Sequence, residues 1–324
     1  MKKHLHPVYL LFGLLLAGCA DDTHVEILKL AHELDTSHPV HKGMVFMARR
    51  VAELSDGKMR IDIYPGGQLG QERELIELLQ IGSLAMTKVS TAPLESFVPE
   101  MKIFGIPYLF RDDEHRWKVL SGEIGERLLL AGQDYLIRGL CYYDAGSRSF
   151  YTKSQPILRP DDLSGLKIRV MKSITSMEMV RSLGGSATPI PWGELYTALQ
   201  QGVVDGAENN PPSFHLSRHY EVCKYYSLDE HTSVPDILLM SRAVWERLSP
   251  REREWLQQAV DESIPVQRQY WQEAVDEALR VVREADVQVL YPDKAPFRER
   301  VKPMHESYRG TTIYDLIREI NAVE

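Results

Sequence analysis

Two arginines occupy positions where a charge is costly. Arg169 lies in GLKIRV (165–170), where Leu166, Ile168 and Val170 alternate with Lys167, Arg169 and Met171 as on a half-buried strand. Arg148 lies in AGSRSFYT (145–152), beside Phe150 and Tyr151. A buried guanidinium needs a counter-charge, either a standing internal carboxylate or a visiting one. The two residues alone leave that choice open, and the rest of the sequence has to decide it. Other chemistry is sparse. His38 and His41 form an H-x-x-H pair, but no third ligand stands at a helpful spacing, so no metal or other cofactor is expected. No G-x-S-x-G, H-E-x-x-H, Walker loop or G-x-G-x-x-G is present, so no enzyme activity is expected. Asp161-Asp162 sits in turn chemistry and reads as a solvated loop.

Alternating strand and helix patterns must position the arginines. Residues 25–34 read as an apolar strand. Residues 38–57 read as a helix, with Met44, Met47, Val51 and Leu54 on one face and Gly57 beyond its end. Residues 58–66 form a second strand, then come the helix QERELIELLQIG and the strand SLAMTKVS. Such alternation implies a mainly parallel α/β arrangement. The pattern E-L-x-x-x-L-Q-x-G occurs at 74–82 and again at 194–202, each time before a short strand. This echo predicts two lobes of like topology with a cleft between them, a usual place for a small ligand. Ser249, Pro250 and Glu252 open a long helix running to about Glu284, with a kink expected at Pro265. At about 50 Å it is long enough to span both lobes.

The chain has 324 residues, 44% of them hydrophobic, and a formal net charge of −8, with no basic run. A nucleic-acid partner is therefore not expected. The N-terminus carries Lys2 and Lys3, an apolar run from Val8 to Ala17, then Gly18 and Cys19. This reads as a secretory signal, too short to span a bilayer comfortably. Leu16-Ala17-Gly18-Cys19 resembles a bacterial lipoprotein box, so residues 1–18 are expected to be removed and Cys19 to be lipidated. Ordinary cleavage after Ala20 is the alternative. Cys141 and Cys223 then remain and are expected as buried thiols.

The signal box, YPGGQLGQERELIELLQIGSLAM, IPYLF, DDLSGLKIRV, ALQQGVVDGAEN and the long helix resemble the DctP family, in the family's order and over nearly all of the mature chain. These are the substrate-binding proteins of TRAP (tripartite ATP-independent periplasmic) transporters. The resemblance implies a two-lobed periplasmic binding-protein fold, type II-like, closing on an organic acid. It would be monomeric and deliver the acid to a small and a large membrane subunit. The boundaries expected are 24–145 plus 235–274 for one lobe and 146–234 plus 275–324 for the other. By the same resemblance Arg169 pairs with the substrate carboxylate, Arg148 gives a second contact, and Asn209 donates and accepts toward the ligand.

HELDTSHPVHKGM, GSRSFYTK and DEHTSVPD resemble the members that bind hexuronates. Lys42, Glu72, Asn209, Asn210, His231 and Asp236 lie at element ends that could face a cleft, and His38 joins them. Acidic and amide groups suit the hydroxyl protons of a sugar acid. Trp192 could stack on a sugar ring. The expected ligand is D-glucuronate or D-galacturonate. The alternatives are a C4-dicarboxylate or keto acid, or presentation of the ligand to a receptor kinase.

Overall fold

The computed structural model describes residues 25–324. The expected signal segment and Cys19 lie outside the described residues. The α/β alternation resolves into two separate sheets. The first, in the order β2-β1-β3-β10-β4, comprises β1 (Glu26–Ala31), β2 (Met59–Tyr64), β3 (Met86–Ser90), β4 (Ile137–Tyr143) and β10 (Asp236–Ser241). The second, in the order β11-β9-β5-β8-β6-β7, comprises β5 (Arg148–Thr152), β6 (Lys167–Val170), β7 (Ser186–Pro189), β8 (Gly206–Asn209), β9 (Tyr225–Thr232) and β11 (Gln288–Leu290).

Both sheets are mixed. β1 pairs parallel with β2 and β3, whereas β10 runs antiparallel between β3 and β4. In the second sheet β6 pairs parallel with β7 and β8, and β5 runs antiparallel between β8 and β9. The chain therefore crosses between sheets at 144–147 and returns at 233–235.

The sequence echo marks equivalent places. The helix Glu72–Gln80 ends at Gly82 and leads into β3, and the helix Leu195–Gln200 ends at Gly202 and leads into β8. Both glycines have positive φ, +72° and +74°, which closes the helix end without Cβ strain. β3 and β8 then run to Ser90 and Asn209, which both border the central cleft.

Met44, Met47 and Val51 on the helix Pro39–Leu54 are buried beneath the first sheet together with Leu256, Val260 and Trp271 of the long helix. That helix, Pro250–Glu284, runs unbroken through Pro265. Ser249 and Glu252 form the expected reciprocal cap: Glu252 N donates to Ser249 Oγ (3.3 Å) and Ser249 N to Glu252 Oε2 (2.7 Å). The helix packs on both halves, against Pro39–Leu54 and β4 on one side and Pro211–Leu216 on the other. Halfway along, Gln267 grips the crossing strand. Asp144 N donates to its Oε1 (2.8 Å), and its Nε2 donates to Asp144 O (2.9 Å).

The tail divides. Ala295–Ser307 packs on Ile174–Ser182 beside the second sheet, but Thr312–Asn321 returns to Pro99–Gly105 beside the first, unlike the expected grouping of 275–324 with one lobe. Cys141 and Cys223 are both buried and unpaired with each other, and burial pushes both thiols up, Cys223 to about 12.

Candidate ligand-binding site

A cleft lies between the sheets, against the carboxyl ends of β1, β3 and β8. Crevices of this kind, where strands end and the chain turns away, are where α/β folds hold ligands. Eight of the ten expected residues line it: His38, Glu72, Arg148, Arg169, Trp192, Asn209, Asn210 and Asp236.

The two arginines share a wall but differ in their surroundings. Arg148, on β5, has all three of its nitrogens bonded to its neighbours and, among the described residues, one Nη1 hydrogen to spare. Its Nε donates to Glu208 Oε2, its Nη2 to Glu208 Oε1 (2.9 Å) and to Glu208 O (2.7 Å), and its Nη1 to Asn209 Oδ1 (2.8 Å). Arg169, on β6, is 2% exposed. Its Nε donates to Ile190 O at 2.8 Å. Neither Nη atom has a hydrogen-bond partner, and no carboxylate stands within 4 Å, among the described residues. Burial lowers its affinity for its proton. Its guanidinium carbon lies 5.9 Å from the Trp192 ring, which leans edge-on against His219.

Beside the arginines, Asn209 accepts from Arg148 and from Asn210 N (2.9 Å) through Oδ1, leaving its Nδ2 donors without a protein partner among the described residues. Asn210 serves the fold. Its Oδ1 caps the helix Pro211–Leu216 by accepting from Ser213 N (2.9 Å), and its Nδ2 donates to Ala145 O (3.1 Å).

The opposite wall is acidic. Glu33, just beyond β1, accepts from Glu72 N. Glu72, opening the helix Glu72–Gln80, accepts from Ser90 N at 2.7 Å. Asp236 accepts from Ser90 Oγ (3.1 Å) and pairs with Lys88 Nζ at 2.8 Å, and Lys88 stands 3.9 Å from Glu72. Burial, then the neighbouring Glu33 charge, pushes the Glu72 carboxyl up to about 8, against the pull of Lys88. Burial raises Glu33 as well. His38 borders the cleft with Nδ1 accepting from Val40 N at 3.3 Å, and burial disfavours its protonated form.

Two expected residues are not in the cleft. Lys42 is exposed on the outer face of Pro39–Leu54. The cation near that wall is Lys88 instead. His231, on β9, is buried one layer behind Arg148. It stacks on Phe150 with ring centroids 4.2 Å apart and pairs with Asp229 (2.9 Å) and Glu208 (3.6 Å). Burial disfavours its charge, but the two carboxylates outweigh that and lift it to about 9. Glu208, despite burial, is held down to about 2 by Arg148 and His231. The H-x-x-H pair is split: His41 Nδ1 meets His32 Nε2 at 3.0 Å, while His38 faces the cleft. Among the described residues no group of three or more His, Cys, Asp or Glu could hold a metal ion.

Glu33, Lys88 and Glu208 escaped sequence reasoning. Lys88 had the same signal as Arg169, a cation inside the apolar strand MTKVS.

The profile of the bacterial extracellular solute-binding proteins, family 7 (DctP), matches residues 30–311. The chain belongs to that family. A solute-binding protein of Chromohalobacter salexigens is 34% identical to it, covering 84% of this chain and 81% of that one. A TRAP periplasmic solute-binding protein from Bradyrhizobium sp. BTAi1, in complex with D-galacturonate, is 39% identical with a TM-score of 0.88, covering 91% and 99% of the two chains. One from Anaerococcus prevotii, with bound D-glucuronate, is 38% identical with a TM-score of 0.87, covering 91% and 98%. This family-7 protein is thus a solute-binding component of TRAP transport, and it binds rather than transforms its ligand. Among the described residues no helix is long and apolar enough to cross a membrane.

Proposed function

We propose that the cleft captures a hexuronate, D-glucuronate or D-galacturonate, for delivery to the small and large membrane subunits of a TRAP permease. One observation carries this reading: Arg169 is buried on the cleft with both Nη groups unpaired among the described residues, while the facing wall holds Glu33, Glu72 and Asp236. A monocarboxylate with several hydroxyls uses both walls. Its carboxylate takes the Arg169 fork with help from Asn209 Nδ2 and the remaining Arg148 donor, and its hydroxyls donate to the acidic side. A dicarboxylate would bring its second charge against that acidic side, where Lys88 is already committed to Asp236. Trp192 lines the cleft with the Arg169 guanidinium over its ring, which puts an aromatic surface beside the carboxylate end of the sugar. The likeness to proteins holding galacturonate and glucuronate supports the same ligand class.

The two sheets act as the cores of two lobes, 25–145 plus 235–274 and 146–234 plus 275–311, with the tail helix Thr312–Asn321 returned to the first, and the lobes close on the ligand. The protein works as a monomer in the periplasm, tethered by a lipid on Cys19. A thermal-shift screen tests the ligand. Glucuronate or galacturonate should raise the melting temperature far more than succinate, malate or neutral hexoses. Stabilisation by succinate or malate with no response to either uronate would sink the sugar-acid reading. Mass spectrometry of the membrane-expressed protein tests the tether, since an unmodified N-terminus at Asp21 would rule it out.

A further inference from the structure

Glu33 and Glu72 are two carboxyls on one wall with less than one cation between them. Each has one oxygen fixed by a backbone N–H, Glu33 by that of Glu72 and Glu72 by that of Ser90. The only cation within 4 Å of either, among the described residues, is Lys88 at 3.9 Å from Glu72, and Lys88 sits closer, at 2.8 Å, to Asp236. Facing Glu33 are Glu72, Lys88, Glu74 and, across the cleft, Arg169. Facing Glu72 are Glu33, Lys88 and Asp236. The other charged groups on the cleft are engaged or in water: Arg148 with Glu208, Arg73 with Glu77 at 3.1 Å, and Lys172 exposed. Two like charges held side by side, each only partly in water and without a full counter-charge, resist ionising together at neutral pH.

We propose that Glu33 and Glu72 hold one proton between them at neutral pH, and that capture of a carboxylate ligand tightens that proton, so that affinity is linked to pH. The ligand's identity rests on the sugar-acid reading above. The held proton changes what the wall offers: one O–H donor among acceptors, matched to hydroxyls that both donate and accept. It also sets the charge the incoming carboxylate meets. With the proton, Glu33, Glu72 and Asp236 carry two negative charges against Lys88. Without it they carry three.

The sign follows from charge. A carboxylate entering the cleft adds a like charge, which strengthens proton binding on the pair, so the complex holds the proton to higher pH than the empty protein does. Binding is then flat where both states are protonated and weakens as pH rises past the point where the empty protein loses the proton. Glu72, pushed up to about 8 by burial and by Glu33, places that point just above neutrality. One linked proton gives a weakening of up to about tenfold per pH unit.

Two measurements test this. In the empty protein carrying 13C-labelled glutamate carboxyls, one signal should titrate near pH 8 and vanish in Glu72→Gln. Its absence, with every glutamate titrating below 6, would overturn the proposal. Calorimetry with D-glucuronate and D-galacturonate, in buffers of differing ionisation enthalpy, should show no proton exchange at pH 6.5. At pH 8.5 it should show uptake of up to one proton, and Glu33→Gln or Glu72→Gln should flatten the pH profile. A constant affinity from pH 6.5 to 9 without proton uptake would overturn it equally. If the carboxyl titrates near 8 but neither uronate binds, the proton-holding pair stands and the sugar-acid reading falls.

Discussion

Arg148 and Arg169 lie on two strands of one sheet, and β8, between those strands, separates them. Both are buried and both border one cleft, yet one is born paired and the other is not. Arg148 is locked to Glu208 by a two-pronged ion pair, itself backed by His231 and Asp229. Arg169 has a single backbone acceptor on Nε and an idle fork. The contrast separates two uses of the same residue. A guanidinium with a resident carboxylate stiffens the protein and orients its neighbours. A guanidinium without one stores an unmet desolvation cost, which a ligand carboxylate relieves.

The sharpest way to break the contrast is through stability. Glu208→Gln leaves Arg148 buried without its counter-charge and should cost about 3–5 kcal/mol of unfolding free energy in urea. Arg169→Met removes a charge that has no counter-charge and gives up only the bond to Ile190 O and the contact with Trp192, so the empty protein should lose far less. Equal losses in the two variants would erase the distinction. Binding should invert the order. Arg169→Lys keeps the charge but not the fork, and should weaken uronate affinity by about 2–4 kcal/mol in calorimetry.

The pH response sharpens it further. His231 has its folded value raised to about 9 from 6.5, so its stabilising contribution is complete below 6.5 and is lost as pH climbs through 9. His231→Gln should therefore reduce the fall in stability between pH 6.5 and 9, read by chemical denaturation at each pH. The smallest effect is expected at Lys42. It is exposed and outside the cleft, so Lys42→Ala should shift both stability and affinity by less than about 0.5 kcal/mol. A clear loss of affinity there would put the helix Pro39–Leu54 back into ligand contact.

What could be read from the sequence was local or periodic. The cap at Ser249 and Glu252, the glycine-ended helices before β3 and β8, and the charge inside GLKIRV are all signals carried by adjacent residues. Partners were not legible. Glu208 meets Arg148 only because β5 and β8 pair, and Ser149 aligns with Asn209 in that register. His231 stands at a loop-like position in the sequence, yet β9 carries it into a second layer behind the arginine. Lys42 and Lys88 reversed roles for a related reason. Spacing places Lys42 on the solvent side of a helix, whereas Lys88 sits on a strand buried on both faces, where a cation must find carboxylates. The crossing of β10 into the first sheet had no local signature at all.

That crossing governs the order in which the protein can be assembled. β3 and β4 are neighbours of β10 and not of each other. Until residues 236–241 have left the ribosome, the two pieces of the first sheet have nothing to join them, although every other strand of that sheet has already been made. The second sheet faces a similar wait for β11, but only at its margin. The half synthesised first is thus closed only after nearly all of the other has been made, and its contacts are among the longest-range in the chain, a topology that slows folding. A nascent chain of this kind stays open late, with one edge of β3 and one edge of β4 unpaired until β10 arrives.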